Sequence, residues 1–289
     1  MKTLTLALLL SSTLWSLSLT QSFEDSEFEF LWIPDTTYHK LPKREGAYAF
    51  SSSRIVPRSV EGVRVRQNEA EKPNDAFKDS DIALRYSKRL EGMELGFYYF
   101  YAYDDFAVLY QDFDQATRTV TLNSEYERNH FYGFSMDYSK GEFVYRAELG
   151  LTKDKHFLNS QSSRGIGKSD EFAYIFGVDL YGLEESMLSM QVNQSYLLSS
   201  RVGFSRPKTD NTLTLLYKKY LMNNTLHAEV LAIHNLNDDD GLVRPKLSYE
   251  LDEESLVYGG LDYFYGDRDG LYGQFREQSR FVVGVERTF

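Results

Sequence analysis

The amino-acid sequence predicts an all-β protein, a transmembrane antiparallel up-and-down β-barrel of about 12 strands with short periplasmic turns and long outer loops. Three observations predict it. Segments of about ten residues, the length a tilted strand needs to cross a bilayer, alternate apolar with polar or small residues along the 289-residue chain. The connections between those segments alternate short and long. Aromatic residues make up 15% of the chain (22 Tyr, 20 Phe, 2 Trp) although mean hydropathy is −0.45. So many rings on so polar a chain must coat either a large β core or a lipid-facing surface. The same rings exclude disorder. The net charge of −11 argues against a general nucleic-acid binder, and the absence of cysteine excludes a disulfide framework or thiolate metal site. Beyond the N-terminus no apolar run approaches the roughly 20 residues of a membrane-crossing helix.

The first 22 residues have the form of a secretory signal peptide. Lys2 precedes the apolar run Leu4-Thr5-Leu6-Ala7-Leu8-Leu9-Leu10, and Ser16-Leu17-Ser18 or Thr20-Gln21-Ser22 offers small residues for cleavage. The alternative is a β-strand over 13–23.

Twelve strands follow. Phe28, Phe30 and Trp32 oppose Glu27 and Glu29 in 26–33; Ile82, Leu84 and Tyr86 oppose Arg85, Ser87 and Arg89 in 80–89. Segment 92–103 stacks Met93, Leu95, Phe97, Tyr99 and Tyr101 on one face, and 128–138 sets Tyr132, Phe134 and Met136 against Ser135 and Asp137. The pattern recurs in 142–151 (Phe143, Tyr145, Leu149 against Arg146, Glu148), 171–181 (Phe172, Tyr174, Phe176 against Asp179) and 186–197 (Leu188, Met190, Val192 against Gln191, Asn193). It continues in 211–221 (Leu213, Leu215, Tyr217 against Lys218), 225–235 (Leu226, Val230 against His227, Glu229) and 243–251 (Leu247, Tyr249 against Arg244, Lys246). Segments 255–265 (Val257, Leu261, Tyr263 against Asp262) and 280–289 (Phe281, Val283, Val285 against Glu286) end the series.

Five connections are short, and 34–79, 104–127, 152–170, 198–210, 236–242 and 266–278 are long, in strict alternation. An outer-membrane barrel has this asymmetry; a soluble β-sandwich, which also alternates apolar and polar residues, has no reason for it. Rings close many strand ends, with Trp32, Tyr101, Tyr103, Tyr196, Tyr263 and Tyr265 on the outer side and Tyr86, Tyr138 and Tyr249 on the inner, as in an aromatic girdle. The last residue, Phe289, resembles the assembly signal at the end of bacterial barrels.

The segments Phe30-Leu31-Trp32-Ile33-Pro34-Asp35, Leu242-Val243-Arg244-Pro245-Lys246, Asp262-Tyr263-Phe264-Tyr265-Gly266 and Gly273-Gln274-Phe275-Arg276 resemble an uncharacterised family of Phe-terminated proteobacterial outer-membrane β-barrel proteins, a domain of unknown function. The resemblance is to the family's C-terminal part. Members are longer, so the chain can also be read as a fragment in which 13–23 is a true strand. The resemblance implies an envelope protein linked to export or uptake of hydrophobic compounds, and it transfers no catalytic residue.

No enzyme chemistry stands out. The histidines His39, His130, His156, His227 and His234 fit no zinc spacing. A barrel hydrolase of phospholipase type would need a surface Ser/His pair; Ser199 or Ser200 with His234 is the available pairing, and no motif ties them. Gly165-Ile166-Gly167-Lys168 lacks a P-loop frame and reads as a flexible outer loop. Asp238-Asp239-Asp240-Gly241 reads as a solvated turn rather than a cation site, because EF-hand spacing is absent.

The charges on the polar face are the main candidate site, as pore-lining residues. Lys218 is followed on later strands by Glu229, by Arg244 with Lys246, and by Asp262 and Glu286. Closure then brings Glu27 and Glu29, followed by Arg85 and Arg89, Asp137, Arg146 with Glu148, and Asp179. Such rings set selectivity in an open pore; the alternative is a lumen filled by ion pairs, with Arg54, Arg58, Arg64 and Arg66 of the long loop 34–79 folding inward. The expectation is a porin-like channel for small solutes or hydrophobic compounds in the bacterial outer membrane, not an enzyme and without cofactor or metal. Its partners are the lipid bilayer, lipopolysaccharide and the barrel assembly machinery, with no nucleic acid. The alternatives are a structural or surface-binding barrel, or the hydrolase.

Overall fold

The computed structural model describes residues 3–10, 15–34, 38–39, 42, 46–58, 61–199 and 202–288. Its strands in chain order are β1 (Thr3–Leu10), β2 (Trp15–Ser22), β3 (Ser26–Ile33), β4 (Arg64–Gln67), β5 (Asp81–Leu90), β6 (Met93–Tyr103), β7 (Val108–Asp114), β8 (Thr119–Glu125) and β9 (Arg128–Lys140). They continue with β10 (Phe143–Leu158), β11 (Ile166–Leu183), β12 (Ser186–Leu197), β13 (Thr209–Leu221), β14 (Leu226–Asn235), β15 (Asp240–Glu250), β16 (Ser255–Tyr265) and β17 (Arg280–Arg287). One short 3₁₀ segment, Gly273–Gln278, precedes β17. All strands but β4, β7 and β8 join one 14-stranded sheet in which each pairs antiparallel with the next.

The twelve strands expected from the sequence are all present, as β3, β5, β6 and β9 to β17. Five of the turns are tight; Gly92 (φ 71°) and Gly141 (φ 61°) take the left-handed conformation that a two-residue hairpin demands. Opposite them lie the long connections. Two were underread. The segment 152–170 is mostly a ribbon, because β10 and β11 run on past a register shift at Thr152/Lys155 and leave only 159–165 between them. These strands are 16 and 18 residues long; β10 pairs with β9 only up to Lys153 and β11 with β12 only from Glu171, so the ribbon projects beyond its neighbours. The loop 104–127 holds the β7–β8 hairpin, to which β4 of loop 34–79 adds in parallel as a second sheet.

The N-terminal segment is a hairpin in this structure: β1 pairs with β2 (Leu6↔Leu19), and β2 pairs with β3 (Leu17↔Trp32). Two added strands, not one, keep the start of the meander on the side of the tight turns. They also bear on closure. A strand has two edges, and those of β3 are taken by β5 and β2. The expected juxtaposition of β3 with β17, and with it Glu29 beside Asp262 and Glu286, is therefore absent: among the described residues the sheet is open, ending at β1 and β17. Phe289 lies outside the described residues.

The polarity of the sheet is inverted relative to a soluble protein. Buried apolar side chains are few: Ala83, Leu109, Leu122, Ala147, Leu197 and Leu242, of which Leu109 and Leu122 belong to the small sheet. The apolar face is the exposed one: Phe281 is 85%, Val283 86% and Met190 58% exposed, and Phe97, Phe176, Leu213 and Leu247 stand on it too. The polar face is shielded, with Ser87, Asp179, Ser189, Ser248 and Asp262 all buried. The accessible surface is 18302 Å², against about 12,700 Å² for a soluble monomer of 33.6 kDa.

Candidate functional site: an ion-paired inner face under a capped end

Facing residues of neighbouring strands share a side, so the charges read from parity meet in rows across the sheet. Arg244, Asp262 and Arg280 are consecutive in one row: the Arg244 Nε donates to Asp262 Oδ1 at 2.8 Å and the Arg280 Nε to Oδ2 at 2.9 Å. In a second row Lys218 lies 3.0 Å from Glu229, whose register partner is Lys246; Lys246 sits over the Tyr258 ring at 4.3 Å. In a third, the Arg146 Nε donates to Asp137 at 3.1 Å while its Nη1 reaches diagonally to Asp179, over the gap left by Gly177. Arg85 is 3.7 Å from Glu94, the register partner of Arg89.

Glu27 and Glu29 accept from Ser22 and Ser18 of β2 rather than meeting other carboxylates. Glu148 and Glu286 are exposed, and Glu286 faces Leu256 across the pair. Parity alone would have found Arg280, which shares the side of Glu286. It missed Glu171, buried between Lys155 (2.7 Å) and Arg206 (2.5 Å), because Arg206 lies in a loop.

The end of the sheet opposite the tight turns carries residues 46–58, a strap that follows β3 in the chain. Both Nη atoms of Arg54 are engaged, one by Asp210 at the start of β13 and one by Asp238 between β14 and β15. Ser52 Oγ donates to the Asp269 carbonyl at 2.6 Å, and Asp269's carboxylate accepts from the Ser53 N–H (2.6 Å), the Ser53 hydroxyl (2.7 Å) and Arg58 Nη2 (2.6 Å). Burial raises the Asp269 carboxyl, but these three donors hold it below the ordinary aspartate value of 3.8. Gln274 Oε1 accepts from the N–H groups of Ser51 (2.8 Å) and Ser52 (3.1 Å), and the Arg280 guanidinium stacks on Tyr48. Arg64 and Arg66, expected in the same role, instead lie in β4.

The acidic turn is solvated at Asp239, as expected, but not at Asp240. Asp240 is fully buried; its Oδ2 accepts from the N–H groups of Tyr272 (2.6 Å) and Gly273 (2.8 Å), which fixes the β16–β17 loop that carries Asp269. Gly165 turns the β10–β11 ribbon (φ 72°), whereas Ile166, Gly167 and Lys168 belong to β11 rather than to a loop. Within that ribbon the His156 side chain is buried, with Glu127 Oε2 3.9 Å from its Nε2, and burial holds its pKa down; Tyr110, pushed up by burial, donates to Glu127 at 2.7 Å. His234 faces Tyr265 (3.0 Å) and Asp239, and the Ser199 N–H donates to Ser169; Ser200 lies outside the described residues. Among the described residues no group of three His, Cys, Asp or Glu is placed to hold a metal ion.

An antiparallel meander, apolar on its exposed face and ion-paired on the other, with tight turns at one end and a looped cap at the other, defines the class. The chain belongs to a protein family of unknown function, DUF1302, whose sequence model matches residues 24–248. No curated protein matches the chain.

Proposed function

We propose that the protein is an outer-membrane β-barrel that acts as a channel for small solutes, gated at its outer mouth by the strap 46–58. The single observation that carries this is the inverted sheet: an exposed face of Phe281, Val283, Met190 and Phe97 beside shielded Asp179 and Asp262. In water that face costs about 25 cal/mol for every Å² of apolar surface left uncovered; in lipid it costs nothing. Lipid in turn forbids a free sheet edge, so the strand that closes on β17 satisfies both. Removal of 1–22 as a signal peptide frees the edge of β3 for this role. The strap supports assigning the long loops to one side, since Ser51 and Ser52 of the connection after β3 bond to the loop before β17.

Conductance and ion selectivity of the refolded protein in a planar bilayer test this function. Discrete channels are expected; none at any voltage, from protein that has folded, overturns the channel. A surface-binding barrel is the second reading. It is favoured by the same strap if Arg54 and Asp269 keep the mouth shut permanently.

A further inference from the structure

The strap is touched from almost every side of the outer end. Around Pro57 and Arg58 gather Leu109, Gln111 and Leu122 from the β7–β8 hairpin, Asn159 and Gly165 from the β10–β11 turn, Ser205 from the β12–β13 loop and Asp269 from the β16–β17 loop. On the two sides of Pro57–Arg58 lie two clefts that share these residues. The first, about 630 Å³, is walled chiefly by Ala49, Phe50, Val56, Leu109 and Leu122. The second, about 440 Å³, is walled by hydrogen-bonding groups: Gln111, Asn159, Ser160, Ser205 and Ser53. The Gln111 amide lies directly over Gly165, where any Cβ would come within 2.1 Å of it.

We propose that the two clefts form one recognition site for an uncharged amphipathic small molecule, whose hydrocarbon part enters the Phe50–Leu122 cleft and whose polyhydroxylated head enters the Gln111–Ser205 cleft. Volumes of this order are those of small-molecule sites, and a few convergent polar groups beside an apolar wall are their usual make-up. The absence of ligand charge follows from the lining. Its two charged groups, Arg58 and Asp269, lie 2.6 Å apart and neutralise each other. An anionic or cationic head would gain one partner only by taking it from the other. The site deepens the proposed channel, placing the selection step at the strap, and rests on that function only for the compartment the clefts face.

The test is calorimetric titration of the full-length protein in lipid nanodiscs with n-hexyl β-D-glucoside, compared with hexan-1-ol, glucose and hexanoate. The glucoside should bind at least tenfold more tightly than each of the other three. Val56→Trp, which fills the apolar cleft, and Ser205→Trp, which fills the polar one, should each weaken it at least tenfold while the protein stays heat-modifiable on gels. Ala49→Phe replaces Val56→Trp if that variant does not fold. Equal binding of hexan-1-ol, tighter binding of hexanoate, or loss in only one of the two filled variants overturns the proposal. Intact glucoside binding without conductance would remove the channel and leave the site; conductance without binding would do the reverse.

Discussion

Arg58 and Asp269 stand 211 positions apart in the chain, yet Nη2 of one lies 2.6 Å from Oδ2 of the other. This contact ties the connection after β3 to the connection before β17. It makes the cap one structure rather than a set of independent loops.

The same tie predicts a response to acid. The Asp269 carboxyl is held below its unfolded value of 3.8, so its contribution to latching is complete above that value and is lost as the pH falls through the lower, folded one. Pepsin should therefore leave 46–58 intact at pH 5 and cut it only as the pH falls below 3.8, the sheet surviving both treatments. Cleavage that is already complete at pH 5 would show that the latch does not depend on this carboxylate.

Arg54 is the stronger latch, with a side chain only 7% exposed between two carboxylates. Arg54→Ala leaves both without their cation, at about 3–5 kcal/mol if the pocket does not relax. Protease sensitivity of the strap and single-channel conductance should both rise. Arg54→Lys, a point charge without the two-pronged fork, should fall between wild type and Arg54→Ala. Wild-type conductance in the alanine variant would separate the strap from the pore.

On the inner face, two carboxylates read alike in the sequence behave differently. Asp262 is buried between Arg244 and Arg280, whereas Glu286 is exposed opposite Leu256. Asp262→Lys sets three cations in a row. It should cost about 1–3 kcal/mol, less than a fully buried pair because both arginines remain half in solvent. Glu286→Lys should leave stability unchanged and shift selectivity toward anions. Thermal unfolding of the two variants decides; equal losses would mean that the rows are wrongly aligned.

Closure can be trapped because the chain has no cysteine of its own. Single cysteines at Phe28 or Phe30 of β3, paired with single cysteines at Val283 or Val285 of β17, should give one cross-linked pair in membrane-inserted protein. Cross-links from β17 to Leu6 or Leu8 of β1, the free edge of the sheet, would instead show the N-terminal hairpin retained in the folded protein.

Much of the fold was legible because alternation is a local property. Phe281, Val283 and Val285 declare a face without reference to any other strand, and the short turns then fix which strands are neighbours. The rows Arg244–Asp262 and Lys218–Glu229 followed from that parity. What stayed illegible is non-local or short. Arg54 meets Asp210 and Asp238 across 156 and 184 positions, and no period in the sequence encodes a loop folding back. Strands β4, β7 and β8, of 4 to 7 residues, are too brief to separate from turn-rich sequence. The segment 3–10 is apolar at nearly every position, which suits a targeting signal and a paired strand equally.

The every-other-residue placement of side chains has one more consequence, on the route by which such a chain travels. Val283 and Val285 are separated by Gly284, Leu213 and Leu215 by Thr214, so beyond the N-terminal 22 residues no stretch of the sheet is oily when averaged over the length of a helix, and the mean over the whole chain stays at −0.45. On the proposed outer-membrane function, machinery that senses greasiness by such averages would handle the polypeptide as a polar thread and let it pass through a first membrane. Only pairing into a sheet sorts the alternate residues onto two sides, so on that function the affinity for lipid would be created by folding and stay hidden until the destination.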